Sequence, residues 1–175
     1  SISGLAGDDT INAGAGYDIV RGGIGNDIID GGADDDQLYG EAGNDTISGG
    51  TGKDQIYGDA GNDTLNGNDG DDYIEGGDGD DVINGGLGAD IIIGGAGNDN
   101  LTGSTGSDTF KWELTDRGTT SAPATDVITD FDPAAAGAGG DVLDLRDLLT
   151  GESHTGVAPG NLASFMHFEV VGANT

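Results

Sequence analysis

Apolar residues recur at every ninth position along the first part of the chain, and segments rich in Gly and Asp separate them. From Gly4 to Lys111 the sequence divides into twelve units of nine without an insertion or deletion. Position eight is apolar in every unit: Ile11, Val20, Ile29, Leu38, Ile47, Ile56, Leu65, Ile74, Ile83, Ile92, Leu101 and Phe110. The three residues centred on each of these, such as Thr10-Ile11-Asn12, have the out, in, out alternation of a β-strand with one buried face.

Gly recurs at two fixed positions in the rest of each nine-residue unit. Position one is Gly except at Ala13, and position four is Gly except at Asp34. Because Gly adopts positive φ without steric cost, these positions favour sharp turns. We therefore expect a six-residue turn and a three-residue strand in each unit, with two units completing one coil of 18 residues. Stacked coils of this kind predict an all-β parallel β-roll, a β-solenoid whose position-eight side chains meet in a thin core.

The acidic residues are as regular as the apolar ones. Position six is Asp in every unit: Asp9, Asp18, Asp27, Asp36, Asp45, Asp54, Asp63, Asp72, Asp81, Asp90, Asp99 and Asp108. The whole chain carries 33 acidic and five basic residues, a formal net charge of −28, and no Cys. The missing Cys excludes disulfides and thiolate metal sites. Five Lys and Arg residues are too few for a nucleic-acid partner.

The Asp residues should form two stacks. Units two apart lie on the same side of the roll, so Asp27 would lie above Asp9, about 4.8 Å away. Two carboxylates at that spacing repel by roughly 1–3 kcal/mol at effective dielectric constants between about 80 and 25. A divalent cation between the turns would reverse the sign of this interaction. Ca²⁺ accepts carboxylate and carbonyl oxygens in flexible geometry, whereas Mg²⁺ keeps its waters and soft metals favour Cys or His.

The unit Gly-Gly-x-Gly-x-Asp-x-apolar-x resembles the calcium-binding nonapeptide repeat of RTX proteins over residues 4–111. The resemblance implies a right-handed parallel β-roll with each ion between turns two units apart. The lower turn would supply the carbonyls of positions two and four and its Asp, and the upper turn the carbonyls of positions one and three and its Asp. Five gaps in each stack predict about ten Ca²⁺ ions, which would offset most of the −28 charge.

The predicted ligands are the twelve position-six Asp side chains together with backbone carbonyls of the turns. The residues supplying carbonyls are Leu5, Gly7, Gly14, Gly16, Gly22, Gly23, Ile24, Gly25, Gly31, Gly32, Ala33, Asp34, Gly40, Glu41, Ala42, Gly43, Gly49, Gly50, Thr51, Gly52, Gly58, Asp59, Ala60, Gly61, Gly67, Asn68, Asp69, Gly70, Gly76, Gly77, Asp78, Gly79, Gly85, Gly86, Leu87, Gly88, Gly94, Ala96, Gly103 and Thr105.

Two features of the turns leave alternatives open. Asp34 stands where Gly is expected, which puts its half-site in doubt, although Asp tolerates left-handed backbone better than most residues. Position five is often Asn or Asp, as at Asn26 and Asn44. These side chains could orient the ligands or simply form turns, and we favour turn formation.

The regular repeat ends at Lys111, and new apolar runs predict strands at 110–112, 127–131, 142–145 and 165–171. One helical turn is expected at 146–149, and loops at 115–125 and 134–140. The segments 126–133 and 140–151 resemble the C-terminal target region of type I-secreted proteins, most closely that of large RTX adhesins of Gram-negative bacteria.

An open solenoid end exposes unpaired backbone groups, so we predict a β-rich cap at 112–175, with Trp112 closing the core. Its carboxylates could bind another ion or be solvated at strand edges and turns, and we favour the second. They are Asp126, Asp130, Asp132, Asp141 and Asp144.

Other surfaces give weaker signals. Tyr39 and Tyr57 lie one coil apart and should stack. Ile91 and Ile93 could form an exposed contact patch. An ice-binding or ligand-binding face is disfavoured, because the Thr column on one wall is interrupted at Ile28 and elsewhere.

Together these patterns predict a calcium-gated folding module that is not an enzyme. His154 and His167 lie outside the repeats, and no catalytic motif accompanies them. No apolar run approaches a membrane span, so we expect no membrane insertion by this segment and a monomeric chain. The chain starts inside a repeat and stops where the resembled family has another strand, so we expect a fragment with an incomplete export signal.

The resemblance implies a secreted or cell-surface-retained chain that is unfolded in the cytosol, folds in extracellular calcium, and transiently contacts the type I secretion machinery. Its parent would be an adhesin, in which the module also acts as a stalk spacer. The alternative is the tail of a secreted hydrolase, a protease or lipase whose catalytic domain is absent.

Overall fold

The computed structural model describes residues 1–112, 124–134 and 139–145. These residues form fifteen strands: β1 Ile2–Ala6, β2 Thr10–Ala15, β3 Ile19–Ile24, β4 Ile28–Ala33, β5 Gln37–Ala42, β6 Thr46–Thr51, β7 Gln55–Ala60, β8 Thr64–Asp69, β9 Tyr73–Asp78, β10 Val82–Leu87, β11 Ile91–Ala96, β12 Asn100–Thr105, β13 Thr109–Lys111, β14 Val127–Ile128 and β15 Val142–Asp144. Within this part of the chain, no helix is long and apolar enough to cross a membrane.

The strands form two parallel sheets, one on each side of the molecule. Odd-numbered strands make one sheet of eight, from β1 to β15, and even-numbered strands make the other sheet of seven, from β2 to β14. Within the repeats each strand pairs with the strand 18 residues later, as Ile11 does with Ile29. The predicted all-β parallel solenoid with an 18-residue coil is therefore confirmed, and the chain makes about six turns.

The strands β2 to β12 are each six residues long, so the predicted division of the unit was wrong. β2, for example, contains positions seven to nine of one unit and positions one to three of the next. Gly14 pairs with Gly32 and Ala15 with Ala33, so the parallel ladder continues through the glycine-rich segment. Only positions four to six form the turn. Sequence patterns associate Gly with turns, but here the backbone remains extended enough to pair with the next coil.

The core is a column of position-eight side chains, as predicted. All twelve belong to one cluster, and eleven of them are at most 1% exposed, while Ile11 at the first coil is 9% exposed. Trp112, Ile128 and Leu143 pack against the far end of this cluster. The prediction that Trp112 closes the core is therefore confirmed, and the structure adds two further apolar residues to the closure.

The C-terminal strands extend the two sheets beyond the repeats. β14 pairs parallel with β12, and β15 pairs parallel with β13. They occupy the beginnings of two predicted strands but are shorter than predicted. The predicted strand at 165–171, the helical turn at 146–149 and both histidines lie outside the described residues, as do most of the two predicted loops. The division of the chain at 111/112 stays a prediction.

The outward-facing residues resolve two of the surface predictions. The rings of Tyr39 and Tyr57 stack with centroids 4.9 Å apart and planes within 6°, which confirms the expected ladder. Ile93 is only 2% exposed, whereas Ile91 is 41% exposed. Ile91 and Ile93 therefore do not form the exposed patch that the sequence allowed, because the side chain of Ile93 is buried.

A pair of isoleucine substitutions tests the core. Ile56, at position eight of its unit, is fully buried, whereas Ile28, at position seven of another unit, is 52% exposed. In saturating calcium, Ile56→Ala should lower the free energy of unfolding by about 2–5 kcal/mol, because it leaves a cavity. Ile28→Ala should change it by no more than about 0.5 kcal/mol. Denaturant unfolding followed by circular dichroism measures both, and equal losses would contradict the assigned core.

Candidate metal centres between the turns

The position-six Asp side chains form two columns, each running along one edge of the roll where turns pass into strands. The odd stack, named by unit number, contains Asp9, Asp27, Asp45, Asp63, Asp81 and Asp99, and the even stack contains Asp18, Asp36, Asp54, Asp72, Asp90 and Asp108. From Asp27 onward every one of these residues is at most 2% exposed. Carboxylates are rarely buried so completely unless a cation or several donors compensate for the lost water.

A ladder of hydrogen bonds fixes the direction of each carboxylate. The backbone N–H of Asp45 donates to Oδ1 of Asp63, one coil above, at 2.7 Å. The N–H of Asp63 donates in turn to Oδ1 of Asp81 at 2.8 Å. The same bond recurs along both stacks. Oδ1 of each carboxylate therefore faces the coil below, and it is held there by a backbone donor.

In ten of the twelve carboxylates the other oxygen has no hydrogen-bond partner among the described residues. Ten Oδ2 atoms are buried without any hydrogen-bond donor within reach: those of Asp9, Asp27, Asp36, Asp45, Asp54, Asp63, Asp72, Asp81, Asp90 and Asp99. A buried oxygen bearing negative charge and lacking a donor is strongly unfavourable. Nine of these oxygens belong to the lower Asp of one of the ten gaps, the exception being the gap above Asp18, and the tenth belongs to Asp99. Such a set fits a chain that binds cations between its coils.

Backbone carbonyls converge on the same gaps, as the gap between Asp63 and Asp81 shows. A Cβ added to Gly58 would lie 2.4 Å from Oδ2 of Asp63 and 2.5 Å from the carbonyl oxygen of Gly76, so these two oxygens face each other. A side chain at position 58 would therefore collide with both oxygens, whereas the second unit has Ala13 at position one and the Oδ2 of its Asp18 is not among the buried, unpartnered oxygens. The carbonyl of Asp78 also points down, because it accepts a hydrogen bond from the N–H of Gly61 at 2.8 Å.

Two carbonyls of the lower turn point up into the same gap. A Cβ on Gly77 would lie 2.1 Å from the carbonyl oxygen of Asp59, and a Cβ on Gly79 would lie 2.0 Å from that of Gly61. The gap thus faces four carbonyl oxygens and two carboxylate oxygens. Among the described residues no three His, Cys, Asp or Glu side chains form a cluster, so any cation in these gaps depends on the backbone. A donor set made only of oxygen suits calcium.

Position two needs left-handed backbone, and several non-glycine residues adopt it there. Leu5 has a φ of 80° and Glu41 a φ of 74°. Asp34, the position-four exception, has a φ of 78°, and its Oδ2 accepts a hydrogen bond from the N–H of Gly16 at 3.0 Å. Asp34 therefore keeps the conformation that Gly provides elsewhere, and it adds a bond to the coil below.

Position five forms its own ladder outside the Asp stacks. The N–H of Asn44 donates to Oδ1 of Asn26 at 2.7 Å, and the N–H of Asn62 donates to Oδ1 of Asn44 at 2.9 Å. These side chains join the turns of successive coils. The expectation of a structural role is supported, although the bonds run between coils and not within one turn.

The Asp stacks continue past the last regular unit. The N–H of Asp99 donates to Oδ1 of Asp126 at 3.1 Å, and the N–H of Asp108 donates to Oδ1 of Asp141 at 3.0 Å. Both acceptors are half-buried, and Asp144 is 7% exposed. The prediction that these carboxylates are solvated was wrong for these three. It holds for Asp130 and Asp132, which are exposed.

Insertions before Asp126 and Asp141 break the nine-residue spacing, so the period does not reveal that these residues continue the stacks. Asp126 follows Asp99 by 27 residues and Asp141 follows Asp108 by 33, whereas all earlier steps are 18. The usable signal is the local motif. Residues 126–129 read Asp-Val-Ile-Thr and residues 141–144 read Asp-Val-Leu-Asp, which match positions six to nine of the repeat.

Burial shifts the titration of the stacked carboxylates when no cation is present. Loss of water raises the pKa of Asp81, Asp90 and Asp99 to about 7. It raises the pKa of Asp54 and Asp63 to about 6. The N–H donor from the coil below lowers each pKa, and neighbouring carboxylates raise it. The ionised stack is therefore costly in the folded, metal-free state.

The sign of these shifts predicts acid stabilisation of the metal-free roll. The folded-state pKa of Asp81 lies above its ordinary value of 3.8, so its contribution to stability is present below about pH 4 and disappears as the pH rises through about 7. In calcium-free buffer, β-sheet circular dichroism should therefore increase as the pH is lowered from about 8 to 5. Asp81→Asn should weaken this dependence. A β signal that is constant or decreases on acidification would contradict the assignment.

Comparison with known proteins gives a match over the same residues. The family model of the RTX calcium-binding nonapeptide repeat (4 copies) matches residues 3–38, 30–65, 39–74, 48–83, 57–92 and 75–110. No curated protein matches the chain. Among solved structures, the chain is similar to a subunit of the mannuronan C5-epimerase from Azotobacter vinelandii, determined in solution, with 34% identity and a TM-score of 0.27.

That match covers 66% of this chain and 47% of the other, so the chain spans about half the length of that structure. The family matches, by contrast, run without a gap from residue 3 to residue 110 and include every unit whose Asp residues form the stacks. The chain therefore belongs to the family of RTX calcium-binding nonapeptide repeats.

Proposed function

We propose that this chain is a folding switch for export, unfolded where calcium is scarce and folded where calcium is abundant. The observation that carries the proposal is the set of ten buried, unpartnered Oδ2 atoms. Without a cation these atoms oppose folding, and with one they become ligands. The presence of calcium then decides between the unfolded and folded chain.

The proposed ligands follow from the direction of the oxygens around each gap. In the gap between Asp63 and Asp81, the lower turn offers Oδ2 of Asp63 and the carbonyls of Asp59 and Gly61. The upper turn offers Oδ1 of Asp81 and the carbonyls of Gly76 and Asp78, at its positions one and three. Repeating this set through both stacks gives about ten ions and the ligands predicted from the sequence. Calcium would neutralise the facing carboxylates and cross-link neighbouring coils.

The expected binding energy is sufficient for a switch. Extracellular calcium modules have dissociation constants of about 10⁻⁴–10⁻³ M. At millimolar calcium each site would then stabilise the fold by about 0.4–1.4 kcal/mol, and ten sites by about 4–14 kcal/mol. The whole stability of a typical domain is about 5–15 kcal/mol. The calcium contribution is therefore comparable to the full stability, and its loss at cytosolic calcium leaves the chain unfolded.

Type I export supplies the context in which such a switch is useful. An unfolded chain can thread the secretion channel, and folding outside hinders its return. This role is supported by the resemblance of segments 126–133 and 140–151 to type I target regions. It requires only transient contact with the secretion machinery and a final location outside the cell. An adhesin and a secreted hydrolase would use the module in the same way.

Position along a stack should set the effect of losing one Asp. Asp63 lies between two gaps, whereas Asp9 borders only one. In a calcium titration followed by circular dichroism, Asp63→Asn should raise the midpoint more than Asp9→Asn, because it weakens two sites. Mg²⁺ should replace Ca²⁺ poorly in either case. Equal shifts from the two variants would contradict ions shared between coils.

Export itself can be tested with the same variants. In cells that carry a type I system, calcium chelation outside the cell should slow the appearance of the chain in the medium. Asp63→Asn should need more external calcium than the unaltered chain to reach the same export rate. Export that is indifferent to external calcium would overturn the proposed role in secretion while leaving calcium binding intact.

A further inference from the structure

The first segment after the repeats takes up the register of an additional unit. The N–H of Thr125 donates to Oδ1 of Asn98 at 3.1 Å, which continues the position-five ladder. The N–H of Asp99 donates to Oδ1 of Asp126 at 3.1 Å, which continues the position-six ladder. Ile128 then pairs with Leu101 and packs against the core at position eight. Residues 125–128 therefore occupy positions five to eight of a further unit on the odd stack.

Asp99 has an oxygen that the ten regular gaps do not use. In those gaps Asp99 acts only as the upper residue, facing Asp81 through its Oδ1. Its Oδ2 is buried and has no hydrogen-bond partner, and the residue is only 1% exposed. Along the rest of the odd stack, each Asp with such an Oδ2 donates its backbone N–H to Oδ1 of the Asp in the next coil. Here that Asp is Asp126.

We propose that a calcium ion binds between Asp99 and Asp126, one coil beyond the regular repeat. The lower turn would supply Oδ2 of Asp99 and the carbonyls of Gly95 and Gly97, at the turn positions whose carbonyls point upward in the interior gaps. The upper turn supplies Oδ1 of Asp126. This site rests on the proposed calcium-dependent folding and extends it to residues outside the nonapeptide pattern.

The outer oxygen of Asp126 shows how the odd stack ends. The indole N–H of Trp112 donates a hydrogen bond to Oδ2 of Asp126. In every interior Asp of the odd stack, this oxygen has no partner and faces the next gap. A neutral donor thus takes the place of a further cation, so Trp112 terminates the column of charges and closes the apolar core with the same side chain.

Asp130 provides a matched control in the same segment. Its Oδ1 accepts from the N–H of Gly103 at 3.0 Å, and its Oδ2 accepts from the N–H of Ser104 at 2.7 Å. Both oxygens are thus bound to backbone donors at the edge of β12. Asp130→Asn removes the same formal charge as Asp126→Asn without removing a proposed calcium ligand.

The test counts calcium ions bound to the full chain at saturating calcium, with folding verified by circular dichroism. Asp126→Asn should bind one ion fewer than the unaltered chain, and Asp130→Asn should bind the same number. Trp112 is the sole Trp, so its fluorescence reports on this end alone. Its calcium-dependent change should be altered in Asp126→Asn and retained in Asp130→Asn. An unchanged ion count in Asp126→Asn would overturn the proposal.

Anomalous diffraction from crystals of the unaltered chain grown in calcium decides the matter if Asp126→Asn fails to fold. A calcium peak between Asp99 and Asp126 supports the site. Peaks in the interior gaps with none at this position would overturn the additional site and leave the proposed function standing. Absence of peaks from all gaps would overturn the proposed function as well.

Discussion

Repulsion between Asp carboxylates stacked one coil apart is the constraint on which the rest of this structure depends. The stacks place nearly every position-six carboxylate out of water, with one oxygen held by a backbone N–H and the other without a donor. With these carboxylates ionised the compact roll is costly, and a cation in each gap would remove that cost. Backbone carbonyls would be further ligands of such a cation, since carbonyls of both turns point into the gap where Asp63 faces Asp81.

The glycine pattern follows from the same constraint. At the position-one glycines a side chain would collide with the carboxylate, as the 2.4 Å separation between a Cβ on Gly58 and Oδ2 of Asp63 shows. At position two the requirement is only for left-handed backbone, so residues such as Leu5 and Glu41 are accommodated there. The two kinds of position look alike in the sequence, yet one makes room for the carboxylate and the other sets the path of the chain.

Much of the fold could be predicted because a strict period of nine couples sequence to structure at every coil. The core column from Ile11 to Phe110 and the Asp stacks follow from that period alone. The strand length could not be predicted, because the continuation of the ladder through Gly14 and Ala15 depends on pairing with another coil.

The continuation of the stacks into Asp126 and Asp141 was missed because insertions break the period. The register reappears only where the core and the hydrogen-bond ladders reimpose it, at Ile128 and Leu143. Residues 126–129 and 141–144 carried the local motif, but four residues are too few to establish a register without the preceding coil. In the structure, the pairing of β14 with β12 and of β15 with β13 fixes the register that the short motif alone does not define.

Small-angle X-ray scattering of the chain, with and without calcium, tests most directly the claim that stacked carboxylates prevent folding unless a cation is bound. In excess chelator at neutral pH, the account predicts an expanded chain, with a radius of gyration approaching the roughly 44 Å of an unfolded polymer of this length. Millimolar calcium should shrink it cooperatively to a compact particle. A compact particle of the same size in excess chelator would contradict the account.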